Sequence, residues 1–214
     1  RSSDVGHIEV IEGEKASWRF RPHYHLGDEF VRVVSGRAVL RLIAKPILVE
    51  TGTEIVIPAG NVHHFEAVDD GGWSFISEFR MAECAMPTAD HTLQSRAIFQ
   101  LTERTSLLTD IAAIAAACGV SAGYLSRVFR NKTGTTLHNF HTVMAIQRAK
   151  SLLRAGEKVV EAALDAGFYD QAHLTREFVR TFGLTPGMFR SAWMNGDATI
   201  CRSQSGPPSR RLYS

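Results

Sequence analysis

Cysteine is scarce: Cys84, Cys118 and Cys201 are the three in 214 residues, far apart and odd in number. That usage excludes a disulfide framework and a zinc site built from cysteine alone. It fits a reducing compartment, and the cytoplasm is the expected location. Long apolar runs are missing too. No stretch of about 18 apolar residues occurs, so no membrane-crossing helix is expected. The chain opens Arg-Ser-Ser-Asp with no apolar segment behind it, so no secretory signal is expected. Its first residue is not Met, which reads as a processed chain or a fragment. Residues 194–214 hold Gly, Ser, Pro-Pro and Arg but almost nothing apolar, and read as a disordered tail. What is present, 44% apolar and 21% charged, is an ordinary globular composition for one domain or two.

The net charge of +2 hides an asymmetry. Residues 1–103 carry 10 Lys+Arg against 15 Asp+Glu, a net of −5, and residues 104–193 carry 11 against 6, a net of +5. An acidic front and a basic back suggest two domains with different partners, the basic one a candidate for binding a polyanion. An ordinary scatter of surface charge is the alternative.

The front half reads as β. Short runs rich in Val, Ile and Phe are broken by turn signals: Phe30–Val34, then Ser35-Gly36, then Arg37–Ile43. Arg37, Val39 and Arg41 alternate with Ala38, Leu40 and Leu42, near period two with Val39 off pattern. Glu54–Ile57 stops at Pro58-Ala59-Gly60, and Trp73–Phe79 follows Asp69-Asp70-Gly71-Gly72. Strands this short and this frequent suggest a small sandwich or barrel. Pro46 is expected at a turn or an edge.

After Phe79 the texture changes. Residues 80–103 read as a linker with at most one short helix, and the pattern is helical from about 107 to 193. Asp110–Cys118 is Ala-rich and closes at Gly119, and Ser121 looks like the next N-cap. The helical part repeats itself. LSRVFRNKTGTTLHNF from Leu125 aligns with LTREFVRTFGLTPGMF from Leu174. Six of the 16 positions are identical: Leu125/Leu174, Arg127/Arg176, Phe129/Phe178, Gly134/Gly183, Thr136/Thr185 and Phe140/Phe189. Each copy is helix, Gly turn, helix, Gly-containing stop, the helix-turn-helix plan stated twice.

In the second helix of copy one, Leu125, Val128, Phe129 and Lys132 share a face, and Gly123, Ser126, Arg127 and Arg130 lie opposite. In copy two, Leu174, Phe178 and Val179 turn inward while Gln171, Thr175, Arg176 and Arg180 turn outward. Arg can bridge guanine O6/N7 and Gln can pair with adenine N6/N7 in the major groove of double-stranded DNA. The helix N-termini at Ser121 and Asp170 offer backbone N–H groups to phosphate, although Asp170 itself repels it. Two similarly faced helices in one chain suit two successive groove segments; two solvated hairpins with ordinary surface arginines are the bland alternative.

Residues 111–136 and 152–190 resemble the AraC/XylS family of bacterial transcription regulators, in a match covering about residues 107–190. The family pattern appears as Gly167-Phe168, Leu174, Arg176, Phe178, Gly183, Thr185-Pro186 and Arg190. The resemblance implies sequence-specific DNA binding and transcription regulation, with Gly123, Ser126 and Arg127 where the first unit meets bases and Gln171, Ala172 and Arg176 where the second does. Gly123 and Ala172 depart from residues with directed hydrogen bonds. Arg127, Gln171 and Arg176 are therefore expected to carry direct readout, and DNA shape to carry more than usual. The resemblance also implies homodimers and allows RNA polymerase as a partner. Only about 25 residues separate the two halves, which weakens the expectation of dimerising helices between them.

The front half carries His23-x-His25, three residues, Glu29, six residues, Gly36, and later Gly52, five residues, Pro58, one residue, Gly60, two residues, His63. Both stretches resemble the two motifs of the cupin superfamily, with Ala67 where the usual Asn stands. Two apart on a strand, His23 and His25 point to one face. If Glu29 and His63 face them, three imidazoles and a carboxylate can bind a divalent transition metal such as iron, manganese, nickel or zinc. The same four residues can instead hold the polar groups of a small-molecule effector. His64, Phe65 and Trp73 are candidates for lining that pocket; Trp73 suits plain core equally. His7 and His91 show no spacing pattern and are assigned no role.

The expected architecture is multidomain α and β: a cupin-like β-barrel for effector binding over 1–83, a linker over 84–103, an all-α domain with two helix-turn-helix units over 104–193, and the tail. The expected function is a ligand-responsive, non-enzymatic, DNA-binding transcription regulator. The alternative is a metal-dependent cupin enzyme, a dioxygenase or isomerase, with an appended helix-turn-helix domain.

Overall fold

The structure, a computed structural model, describes residues 8–16, 20–43, 45–80, 92–104, 106–107, 110–195 and 201–203. Seven strands precede seven helices. They are β1 (Ile8–Ala16), β2 (Asp28–Ser35), β3 (Arg37–Arg41), β4 (Pro46–Glu50), β5 (Glu54–Ile57), β6 (His64–Ala67) and β7 (Trp73–Arg80). An eighth, β8 (Cys201–Ser203), follows the helices. One sheet has the order β5-β2-β7-β1-β8 and the other β4-β3-β6.

Alternation explains why these segments are strands. On β7, Trp73, Phe75, Ser77 and Phe79 are buried and the residues between them are not. On β3, Ala38 and Leu40 face the core while Val39 lies partly exposed, which accounts for its place off the pattern. Pro46 opens β4, an edge strand, where its missing N–H costs no ladder bond. Gly36 joins β2 to β3 at φ 76°, and a Cβ there would meet the Gly72 carbonyl at 2.6 Å. The turn therefore requires glycine.

Among the described residues the front half forms two sheets, in keeping with the sandwich or barrel expected from its short strands. An isolated bridge outside the named strands pairs the backbones of His23 and His63, with bonds of 2.9 and 2.8 Å. Residues 201–203, read from sequence as tail, pair parallel to β1. The rest of 196–214 lies outside the described residues, as do His7, Cys84 and His91.

The helices are α1 (Leu93–Thr102), α2 (Ile111–Ala117), α3 (Ala122–Thr133), α4 (Leu137–Arg154), α5 (Val159–Asp165), α6 (Gln171–Phe182) and α7 (Pro186–Met194). Side chains cap them where the sequence suggests: Asp110, Ser121 and Asp170 each accept a backbone N–H of the first turn. α2 and α3 meet at 89°, a helix-turn-helix angle. No single helix among the described residues is long and apolar enough to cross a membrane.

α1 falls within the stretch read as linker, yet it belongs to the first helical unit. Ala97 and Leu101, four apart, are buried with Ile114, Leu125 and Phe129. The two halves also share a core. One buried cluster runs from Ile11, Val31 and Phe79 of the sheets to Ala149, Phe178, Phe182 and Phe189 of the helices. Glu9 of β1 crosses into it, pairing with Lys150 at 2.7 Å and with Arg154.

Candidate functional site

Residues 20–25 run extended along the opening between the sheets. Period two sends His23 and His25 to the same side. Glu29 is the second residue of β2 and faces inward, and His63 precedes β6. All four are buried, and potential ligand nitrogens of the three histidines lie within 4.8 Å of one another. The His23 ring is 4.9 Å from His25 and 4.6 Å from His63 between centroids. Glu29 Oε2 lies 2.9 Å from His63 Nε2 and 3.5 Å from His25 Nε2.

The protons on these rings point away from the centre. His23 Nδ1 is 2.7 Å from the Arg21 carbonyl and His63 Nδ1 is 2.9 Å from the Asn61 carbonyl. Each Nδ1–H therefore donates outward, which turns each Nε2 toward the centre. Burial, with the neighbouring imidazoles, holds His23 and His25 well below the ordinary histidine value, so both rings are neutral. His25 Nε2, His63 Nε2 and Glu29 Oε2 make no hydrogen bond among the described residues. Three buried polar atoms converge there unsatisfied, and a cation can satisfy them together.

The surrounding cavity is lined by Ile11, Phe20, Phe65, Phe75, Phe79 and, from α6, Thr181 and Phe182. Its volume is about 30 Å³. That is room for a few waters at most, well below the ~300 Å³ at which organic-ligand pockets begin. Phe65 lines it as expected. His64 turns outward to Glu66 at 3.0 Å. Trp73 is corrected to core: it stacks on Phe75 at 4.4 Å, behind the wall. Thr181 and Phe182 were illegible in the sequence, because nothing local ties them to histidines about 160 positions earlier.

The second candidate surface is helical. Gly123, Ser126, Arg127 and Arg130 are exposed on α3, and Gln171, Ala172, Arg176 and Arg180 on α6. Lys132, expected on the inner face, is exposed, and Thr133 takes the buried position. Arg180 stands apart from Gln171. Nine residues along α6 put it ~13 Å away, beside the sheets, where it pairs with Glu177 at 3.2 Å. Glu177 is buried and also pairs with Arg21.

The repeat sorts these residues. Leu125/Leu174, Phe129/Phe178 and Phe140/Phe189 are buried. Gly134 and Gly183 end α3 and α6 at φ 74°. Thr136 and Thr185 cap α4 and α7. Five of the six identities are accounted for by folding. The sixth, Arg127/Arg176, is an exposed pair with no such role.

Comparison with known proteins matches the two halves separately: a helix-turn-helix domain over residues 114–192 and a cupin domain over residues 6–77. The chain is similar to the HTH-type transcriptional regulator MtrA of Neisseria gonorrhoeae, 32% identical over 76 residues, 35% of this chain and 25% of MtrA. It is also similar to the probable transcription factor PqrA of Proteus vulgaris, 36% identical over 78 residues, 36% of this chain and 64% of PqrA. The chain thus matches only about a quarter of MtrA's length. Unsaturated fatty acid-bound ToxT of Vibrio cholerae shares the fold, with a TM-score of 0.58 at 9% identity, covering 89% of this chain and 96% of that one.

Proposed function

We propose that the chain, in which a cupin domain is followed by a helix-turn-helix domain, is an AraC-type, metal-responsive, sequence-specific DNA-binding transcription regulator. One observation carries the DNA-binding part. Among the six identities between the units, the exposed arginine repeated at 127 and 176 is the one that neither packs in the core nor caps a helix. On this reading Arg127, Gln171 and Arg176 read bases, Ser126 and Arg130 contact the backbone, and Gly123 and Ala172 let it approach closely.

The metal part rests on the convergence of three buried imidazoles and the unsatisfied Glu29 carboxylate, and on the size of the cavity. His23, His25 and His63 would hold a divalent transition ion, with Glu29 as a fourth ligand. ToxT, with its fatty acid, suggests an organic effector instead. A cavity of about 30 Å³ favours the ion.

We place the protein in the cytoplasm, as a homodimer acting with RNA polymerase, and assign it no catalysis. Elemental analysis of protein purified without chelator or affinity nickel tests the metal reading. About one metal per chain, lost in His25→Ala, is the expected result. An absence of metal in both proteins would return the four residues to contacts with an organic effector. Substrate turnover lost in His63→Ala, together with no affinity for DNA, would replace the regulator with an enzyme.

A further inference from the structure

The segment that carries His23 and His25 also grips the helices. Its alternate side faces α4, which links the two helix-turn-helix units. The Pro22 carbonyl accepts from Asn139 Nδ2 at 2.7 Å, and the Tyr24 carbonyl accepts from Gln147 Nε2 at 2.9 Å. The Tyr24 ring stacks on Phe140 with 5.0 Å between centroids. At the start of the segment, Arg21 pairs with Glu177 of α6, and its backbone N–H donates to the Arg180 carbonyl at 3.0 Å. The cavity wall opposite belongs to α6. The Phe182 ring lies 5.7 Å from His23 and 5.8 Å from His25.

We propose that residues 21–25 form a two-faced strap, through which occupancy of the histidine site sets how firmly α4 and α6 are held. Asn139 and Gln147 are its positioning residues. The proposal rests on the metal reading of that site. An extended backbone alternates its faces residue by residue, so neither face moves without the other. Ligation of His23 and His25 fixes the backbone between them, and with it the carbonyls of Pro22 and Tyr24. Those carbonyls hold α4, whose two ends lead into the two DNA-facing units. The signal needs no second subunit. By linkage, whatever tightens the grip on α4 tightens metal binding by the same factor.

The test uses the full chain stripped of metal, with Zn²⁺ alone as probe. Calorimetry reads zinc binding, and amide hydrogen exchange reads α4 and α6. In the wild type, zinc is expected to slow exchange in both helices as well as in residues 20–25. In the Asn139→Ala/Gln147→Met double variant, one zinc still binds, about 5-fold or more weakly, and no longer slows exchange in α4, while α6, gripped through Arg21, keeps its protection. Equal protection of α4 in both proteins would overturn the strap. So would zinc binding that protects neither helix in the wild type. No zinc binding by the wild type would overturn the metal reading itself, and the strap with it. If the double variant fails to fold, Gln147→Met alone is read in the same way.

Discussion

His63 Nε2 lies 2.9 Å from Glu29 Oε2, both groups are buried, and His63 Nδ1 is turned to the Asn61 carbonyl. Neither facing atom has a hydrogen-bond partner among the described residues. A cation between them relieves that arrangement, and so does a donor built into the carboxylate side chain, if a lone pair stands on Nε2. Glu29→Gln is therefore expected to act in opposite directions. Its amide N–H reaches His63 Nε2 and raises metal-free stability by about 0.5–1.5 kcal/mol, while metal affinity falls. Chemical denaturation without metal and calorimetry with it check the pair of signs. Falling stability in the metal-free variant would refute the lone-pair assignment.

Glu9 carries a pH dependence. Burial pushes its carboxyl up, but the charges of Lys150 and Arg154 outweigh burial and hold it below the ordinary 4.5. A lowered carboxylate stabilises the fold fully above its unfolded value, and the contribution is lost as pH falls through the folded one. Glu9→Gln should cost about 3–5 kcal/mol at pH 7, because it leaves buried Lys150 without its carboxylate. The gap between wild type and variant should stay level down to about pH 5 and shrink below 4.5. Urea unfolding across that range measures it, and a gap that widened in acid would reverse the sign.

Arg176 and Arg180 share a helix but not a role. Arg176→Ala should cost about 1–3 kcal/mol on the cognate DNA site and relax one base position. Arg180→Ala should cost clearly less, since Arg180 is engaged with Glu177 beside the sheets. Affinity for any duplex should fall steeply with salt. Equal losses for both variants on random DNA would mean that both touch only phosphate.

Gly123 tests close approach. It sits in α3, and a Cβ placed there meets nothing within 4 Å. The fold does not need this glycine, and glycine costs a helix roughly 0.5–1 kcal/mol relative to alanine. Gly123→Ala should raise thermal stability by up to about that amount and lower DNA affinity. Unchanged DNA affinity would remove Gly123 from the interface.

Much of the helical half was legible because its determinants are short-range. Ser121 and Asp170 cap helices three residues away, Gly134 and Gly183 stop them, and Leu125 and Phe129 share a face at spacing four. The β half was read less fully. β5 was found at its bounds and Pro46 of β4 at an edge, whereas β1 and β6 were not read as strands. Gly13 and Lys15 dilute the β signal of the first, and the second is only four residues long. His23 and His25 share a face by extended-chain alternation, and Glu29 and His63 could be named with them through the resemblance to the cupin motifs.

Which side of each element meets which partner was a different matter. Local patterns state that a face is apolar, not what covers it. Nothing in the sequence ties Glu177 to Arg21, 156 residues earlier, yet the two pair. Glu9 and Lys150 are 141 residues apart, and no propensity or cap couples them. The size of the cavity, its closure by Thr181 and Phe182, and the grip of residues 21–25 on α4 depend on close packing between elements remote in the chain. Packing of that kind is a property of the assembled core. The sequence therefore named the residues of both candidate sites, and tertiary structure decided that the two are joined.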